Sequence, residues 1–268
     1  MTSLLQYDFF RNALIGIILI AVSSAVIGTY VVARRLVSIS GGITHACFGG
    51  LGLGYFLGIS PVLTAIIFAV GSALGVEWMS RTRKVREDSA IAAVWGAGMA
   101  LGVLFVFLTP GYVPELNAFL FGNILTVTMT DIAGYAIYTA VLITLMAVAF
   151  RPIVAVAFDR DFAAVRGLPV VLISTVMTVM TAVCIVLTIR MVGIMLLMSM
   201  LSLPQMMAEI YCRRFVTIMA LSTAISVACC VAGLLLATVI DVPCSALIVL
   251  VMIAALIVLK VVGGGGRF

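Results

Sequence analysis

His45 is the only histidine in the chain, and it lies in a run from Gly41 to Gly58 that is otherwise poor in groups able to hold an ion. Neutral imidazole is the commonest transition-metal ligand. An ionisable group inside an apolar run usually faces a cavity or a partner, because leaving it in hydrocarbon is costly. One imidazole cannot close a four-ligand zinc site. With the Thr44 hydroxyl beside it, His45 therefore suits a cation in passage better than a stored one; the plainer alternative is a histidine that hydrogen-bonds a backbone carbonyl. In the same run Gly42, Ala46, Gly50, Gly54 and Gly58 recur every fourth residue. Such a stripe lets helix backbones approach closely in lipid, and packing alone accounts for it.

A second segment, 158–169, interrupts two long apolar runs with charge. Asp159 reads as an N-cap and Asp161 complements the helix dipole. Arg166 suits the last turn, Gly167 the left-handed position, and Pro169 prevents continuation. The segment is thus a short capped helix between spans, a docking element; an ordinary surface turn is the alternative.

The remaining groups carry less. Glu77 and Asp131 lie near the ends of apolar runs, Glu115 and Asp241 fall in turns, and Glu209 has Arg213 one helical turn on. No buried carboxylate presents itself for proton or sodium coupling. The methionines between Met191 and Met207 read as adaptable packing. The six cysteines show no zinc-ribbon or disulfide spacing, and there is no GxxxxGK[ST] phosphate loop.

The elements that must position these groups follow from composition. The 268 residues are 65% hydrophobic and 9% charged, with mean hydropathy +1.35. Soluble domains carry about 25% charged residues, so the outer surface here faces hydrocarbon, which excludes a soluble enzyme. Backbone in a bilayer must form helices or a closed barrel, and long runs without alternation select helices. Apolar runs near 12–33, 42–58, 61–80, 89–109, 132–150, 170–188, 191–210, 216–237 and 245–262 predict an all-α polytopic bundle of about eight to nine spans in one domain, 1–268. Residues 110–131 are expected to form an outer loop with a short re-entrant or interfacial helix, Pro204 to kink its run, and 263–268 to form a flexible tail. The first run ends in Arg34-Arg35 with no small-residue cleavage site, so it is expected to be retained.

Alternating the spans from a cytoplasmic loop at 81–86 puts every one of the 15 basic residues except Arg11 and Arg190 inside. That asymmetry follows the positive-inside rule. It places the N-terminus outside and the C-terminus in the cytoplasm, and it makes the net charge of +5 an orientation marker, not a footprint for nucleic acid.

In order along nearly the whole chain, Arg34 to Ser40 with Thr44-His45-Ala46, Glu87 to Ile91, Phe119 to Leu125, Asp159 to Pro169, Met191-Val192-Gly193 with Leu203-Pro204, and Asp241 to Leu247 carry a resemblance. The chain resembles the membrane permease subunit of the ABC importers for zinc, manganese and iron. The resemblance implies a permease in the cell (inner) membrane, paired with a second permease copy. Its further partners would be a dimer of cytosolic ATP-binding subunits and an extracytoplasmic metal-binding protein. The permease itself would be no enzyme, with ATP hydrolysis in a separate subunit, no permanently bound cofactor, and a divalent metal ion as cargo. Asp159, Asp161, Ala163, Ala164, Arg166 and Gly167 correspond by resemblance to the coupling helix, whose small residues permit close approach to a groove on the ATPase. One departure bears on cargo: the family often carries an acid four positions before this histidine, and here that position is Gly41. Losing the oxygen ligand weakens manganese more than zinc, so zinc is favoured. An ion-gradient-driven transporter or channel is the competing reading, and a membrane scaffold a third.

Overall fold

A computed structural model describes residues 7–82, 86–110, 122 and 124–263. The apolar runs satisfy their backbone groups internally, as helices: α1 (Asp8–Ala33), α2 (Val37–Leu57), α3 (Pro61–Thr82), α4 (Glu87–Leu108), a 3₁₀ turn (Ile124–Thr126), α5 (Met129–Val148), α6 (Phe150–Phe158), α7 (Arg160–Val165), α8 (Val170–Met200), α9 (Leu203–Tyr211), α10 (Phe215–Ile240) and α11 (Cys244–Gly263). Among the described residues, seven segments are long and apolar enough to cross a membrane. The all-α polytopic bundle expected from composition is therefore present.

The span count differs from the expected eight to nine for two local reasons. The 21 residues of α2 reach about 31 Å at 1.5 Å per residue, enough to span, but its glycines dilute the hydropathy and it is not among the seven. The runs at 170–188 and 191–210 belong to one apolar segment, Val170–Tyr211. At Gly193 (φ 81°, ψ 173°) the backbone leaves helical geometry, so α8 is two helices that meet at a kink. Pro204 kinks nothing: it occupies the first turn of α9, where a missing N–H costs no hydrogen bond. Most of the loop at 110–131 and nearly all of the tail at 263–268 lie outside the described residues. Where the loop re-enters them, Thr128 and Asp131 form a reciprocal capping box that starts α5.

The chain groups into two compact units, Met1–Ala33 with Asn117–Phe150 and Met191–Phe268, and Arg34–Leu116 with Arg151–Arg190. In the first, α1 packs against α5, α9 and α10, and α11 against α9 and α10. The helices are joined by polar contacts inside an apolar bundle. Ser23 and Thr139 share a hydroxyl hydrogen bond of 2.8 Å, and the fully buried Gln205 donates to the carbonyls of Ser24, Ala25 and Met200 at 3.4 Å. Gly28 makes room for that side chain, since a methyl there would meet the Gln205 carboxamide and lie 2.7 Å from the Leu201 carbonyl.

The second unit is built on glycine. Helix α2 packs between backbone-close contacts to α3 and α4. A methyl at Gly50 would lie 2.6 Å from Cα of Ala65, and one at Gly52 would lie 2.5 Å from the Gly102 carbonyl. With lipid as solvent, dispersion between surfaces this close replaces the hydrophobic effect as the force between helices.

Candidate functional site

The residues that could meet a cation lie on α2, about two turns into the helix. The His45 imidazole stacks on the indole of Trp95 from α4, with ring centroids 4.4 Å apart and planes 6° from parallel. Stacking covers one face of the ring. A nitrogen lone pair lies in the ring plane, so the stack fixes the direction of the imidazole and leaves its edge to a ligand. Thr44 is fully buried and its hydroxyl donates to the Ser40 carbonyl at 2.7 Å. Its oxygen, not its proton, is what it can offer. Among the described residues no three His, Cys, Asp or Glu side chains gather as a ligand set. A cation beside His45 would therefore keep water or carbonyl oxygens for its other positions, as in a weak transit site.

Four of the five small residues of the α2 stripe sit against neighbours. Gly42 faces Ile91, Gly50 faces Ala65 and Phe68, Gly54 faces Pro61 and Thr64, and Ala46 is buried with its Cα close to Gly98. Gly58 has another task. It ends α2 in the left-handed conformation (φ 67°), and an added methyl there would meet no neighbouring helix within 4 Å. The sequence reading missed the second stripe, Gly49 and Gly52, which faces Gly98 and Gly102 of α4. It also missed Trp95, whose position on α4 carries no local signal of a partner on α2.

The segment at 158–169 forms the six-residue helix α7. Asp159 caps it by accepting from the Phe162 N–H at 2.9 Å, and Asp161 lies in the first turn. At the other end Leu168 N–H donates to the Ala163 carbonyl and Gly167 N–H to that of Ala164, with Gly167 at φ 75°. That paired bonding is a Schellman ending, which Gly167 adopts without the strain a Cβ would bring. The Arg166 guanidinium lies over the Phe162 ring, 5.0 Å from its centroid. Ala164 faces outward with Phe158, Phe162 and Val165, whereas Ala163 is fully buried within its own chain. Ala163 therefore seats α7 on the permease; a partner would meet the outward side chains instead. The first residue of α7, Arg160, reaches Ser174 on α8 and Glu77 on α3, a cluster that sequence spacing does not reveal.

A bundle of membrane-spanning helices, one of them glycine-packed and carrying a lone imidazole, together with a short capped helix, defines a polytopic membrane permease. The chain belongs to the ABC 3 transport family, whose model matches residues 6–263, and is a metal-transporting permease of the ABC importer type. It is 31% identical over 92% of its length to the manganese transport system membrane protein MntC of Halalkalibacterium halodurans, covering 85% of that protein. It is 33% identical to a membrane protein of Synechocystis, slr2045, covering 94% of this chain and 89% of that one. Among solved structures it is similar to PsaBC from Streptococcus pneumoniae in complex with Fab, with a TM-score of 0.86 and 25% identity over 97% of this chain and 94% of that one.

Proposed function

We propose that this permease forms the translocation pathway for a divalent first-row metal ion, zinc foremost, and that His45 with Thr44 lends ligands to the ion in transit. The observation that carries the reading is the oriented imidazole: His45 is held flat on Trp95 by a helix that glycine contacts lock to its neighbours. A dehydrated cation in a low-dielectric bundle needs polar groups along its path, and one imidazole helped by carbonyls and water binds weakly enough to release it. Manganese is the second reading, favoured by the naming of the Halalkalibacterium halodurans relative. Gly41, which offers no carboxylate, weighs against it.

The two units together make one permease domain, 1–268, with the N-terminus outside and the C-terminus in the cytoplasm. Helix α7 docks on a dimer of cytosolic ATP-binding subunits, which hydrolyse the ATP. An extracytoplasmic metal-binding protein delivers the ion, and a second permease copy completes the pathway. The outward Phe158, Phe162 and Val165 beside the two caps of α7 support the docking role.

Uptake of radiolabelled zinc with manganese as competitor tests the cargo and the ligand at once. His45→Ala is expected to lower zinc uptake about ten- to a hundredfold, the scale of losing a metal-site partner, with assembly intact. His45→Gln, which keeps a hydrogen-bonding group but offers a weaker ligand, should not restore it. Full uptake in His45→Ala would exclude the ligand role, and stronger competition by manganese than by unlabelled zinc would reverse the metal preference.

A further inference from the structure

The cluster of Arg160, Ser174 and Glu77 joins three helices of one unit, and the transport reading leaves it without a task. The Arg160 guanidinium donates to the Ser174 hydroxyl at 3.1 Å, and that hydroxyl donates to Glu77 Oε1 at 2.8 Å. The guanidinium nitrogen lies 3.7 Å from the same Oε1, an ion pair bridged by the serine. Ser174 is buried and Glu77 is largely so, with 18% of its side chain exposed. Solvent therefore screens the pair less than it would at an open surface.

We infer that this cluster is the strut that carries a displacement of α7 into α3, and through α3 to α2 and His45. The inference rests on the reading of α7 as the helix that meets the ATP-binding subunit. Helix α7 is short and capped at both ends, so it moves as a body. Arg160 is its first residue and ties that body to Glu77 by charge and through a shared hydroxyl, contacts that resist separation along a defined direction. From Glu77, α3 runs back 12 residues to Ala65, about 18 Å of helix at 1.5 Å per residue. There Ala65 and Thr64 meet Gly50 and Gly54 of α2 at distances that leave no room for a methyl. Surfaces packed so tightly do not slide past one another freely, so a shift of α3 is passed to the helix that carries His45. Glu77, Ser174 and Arg160 are positioning residues in this account, because they touch neither ion nor nucleotide.

The test uses the permease in complex with its ATP-binding subunit in proteoliposomes, with zinc taken up per ATP hydrolysed as the readout. Glu77→Gln keeps a hydrogen-bonding group and removes the charge, and Ser174→Ala removes the bridge. Each is expected to retain the ATP-binding subunit and to lower zinc moved per ATP about fivefold or more, the low end of ordinary coupling between sites. Exchanging the charges, Arg160→Glu with Glu77→Arg, should recover most of the loss. A purely structural role would reduce the amount of assembled complex and leave this ratio alone. If Glu77→Gln does not assemble, Ser174→Ala decides by the same ratio. A wild-type ratio in Ser174→Ala or in an assembled Glu77→Gln overturns the strut, as does a charge exchange that recovers nothing. Failure of the wild-type permease to retain any ATP-binding subunit would instead overturn the docking reading beneath it.

Discussion

Two glycines of α4, two residues apart, should respond to the same substitution with opposite signs. A methyl at Gly98 would lie 2.6 Å from Cα of Ala46 and 2.9 Å from its carbonyl oxygen, about 0.8 Å inside the 3.4 Å at which ordinary contact begins. Both obstacles are backbone of α2 and cannot turn aside, so the helices must separate. At Gly96 nothing lies within 4 Å of an added methyl. Alanine is favoured over glycine in a helix interior by about 0.8–1 kcal/mol in water, and overpacking a close contact costs about 1–3 kcal/mol. Gly96→Ala should therefore be neutral or stabilising by up to about 1 kcal/mol. Gly98→Ala should be destabilising by up to about 2 kcal/mol once the propensity gain is set against the overlap. Unfolding of the purified permease in one detergent, measured for wild type and both variants, reads the difference. Because Ala46 follows His45 directly, Gly98→Ala should also move the imidazole off Trp95 and lower metal uptake. Equal stability of the two variants would refute the claim that α2 and α4 meet backbone to backbone.

Other expectations follow from single contacts. Gly28→Ala should destabilise the permease by about 1–3 kcal/mol, because the new methyl would displace Gln205, and its midpoint in the same unfolding assay should drop. Phe162→Asp places a charge on the outward face of α7 and should weaken retention of the ATP-binding subunit by at least about tenfold, read by co-purification. A cysteine replacing Val165, which is 89% exposed, in a background lacking the native cysteines, should escape an impermeant thiol reagent in intact cells and react in inside-out vesicles stripped of the ATP-binding subunit. Labelling from outside would invert the proposed topology.

Much of the fold was legible because the bilayer imposes a constraint that composition alone expresses. With 9% charged residues the chain has no soluble surface to build, and hydrocarbon leaves it helices. The caps of α7 were legible for a different reason: Asp159 and Gly167 act on groups three to five residues away, so local sequence contains the whole interaction. Gly42, Gly50 and Gly54 were recognisable as a small-residue stripe, but not the helices they would meet.

What only the tertiary structure decided are pairings between distant residues: His45 with Trp95, Gln205 with the notch at Gly28, and Glu77 with Ser174 and Arg160. In a soluble protein the apolar face of a helix announces which side is buried. Here the lipid-facing and protein-facing sides are both apolar, so periodicity does not mark the side that meets another helix. The same limit explains Ala163, whose small side chain reads equally well as contact to a partner or as a seat on its own chain, and which the fold buries. It explains Gly58 and Gly193 as well: one glycine ends a helix in the left-handed conformation, and the other breaks helical geometry where two helices meet at a kink. A glycine permits either conformation, and the packing around it selects which is formed.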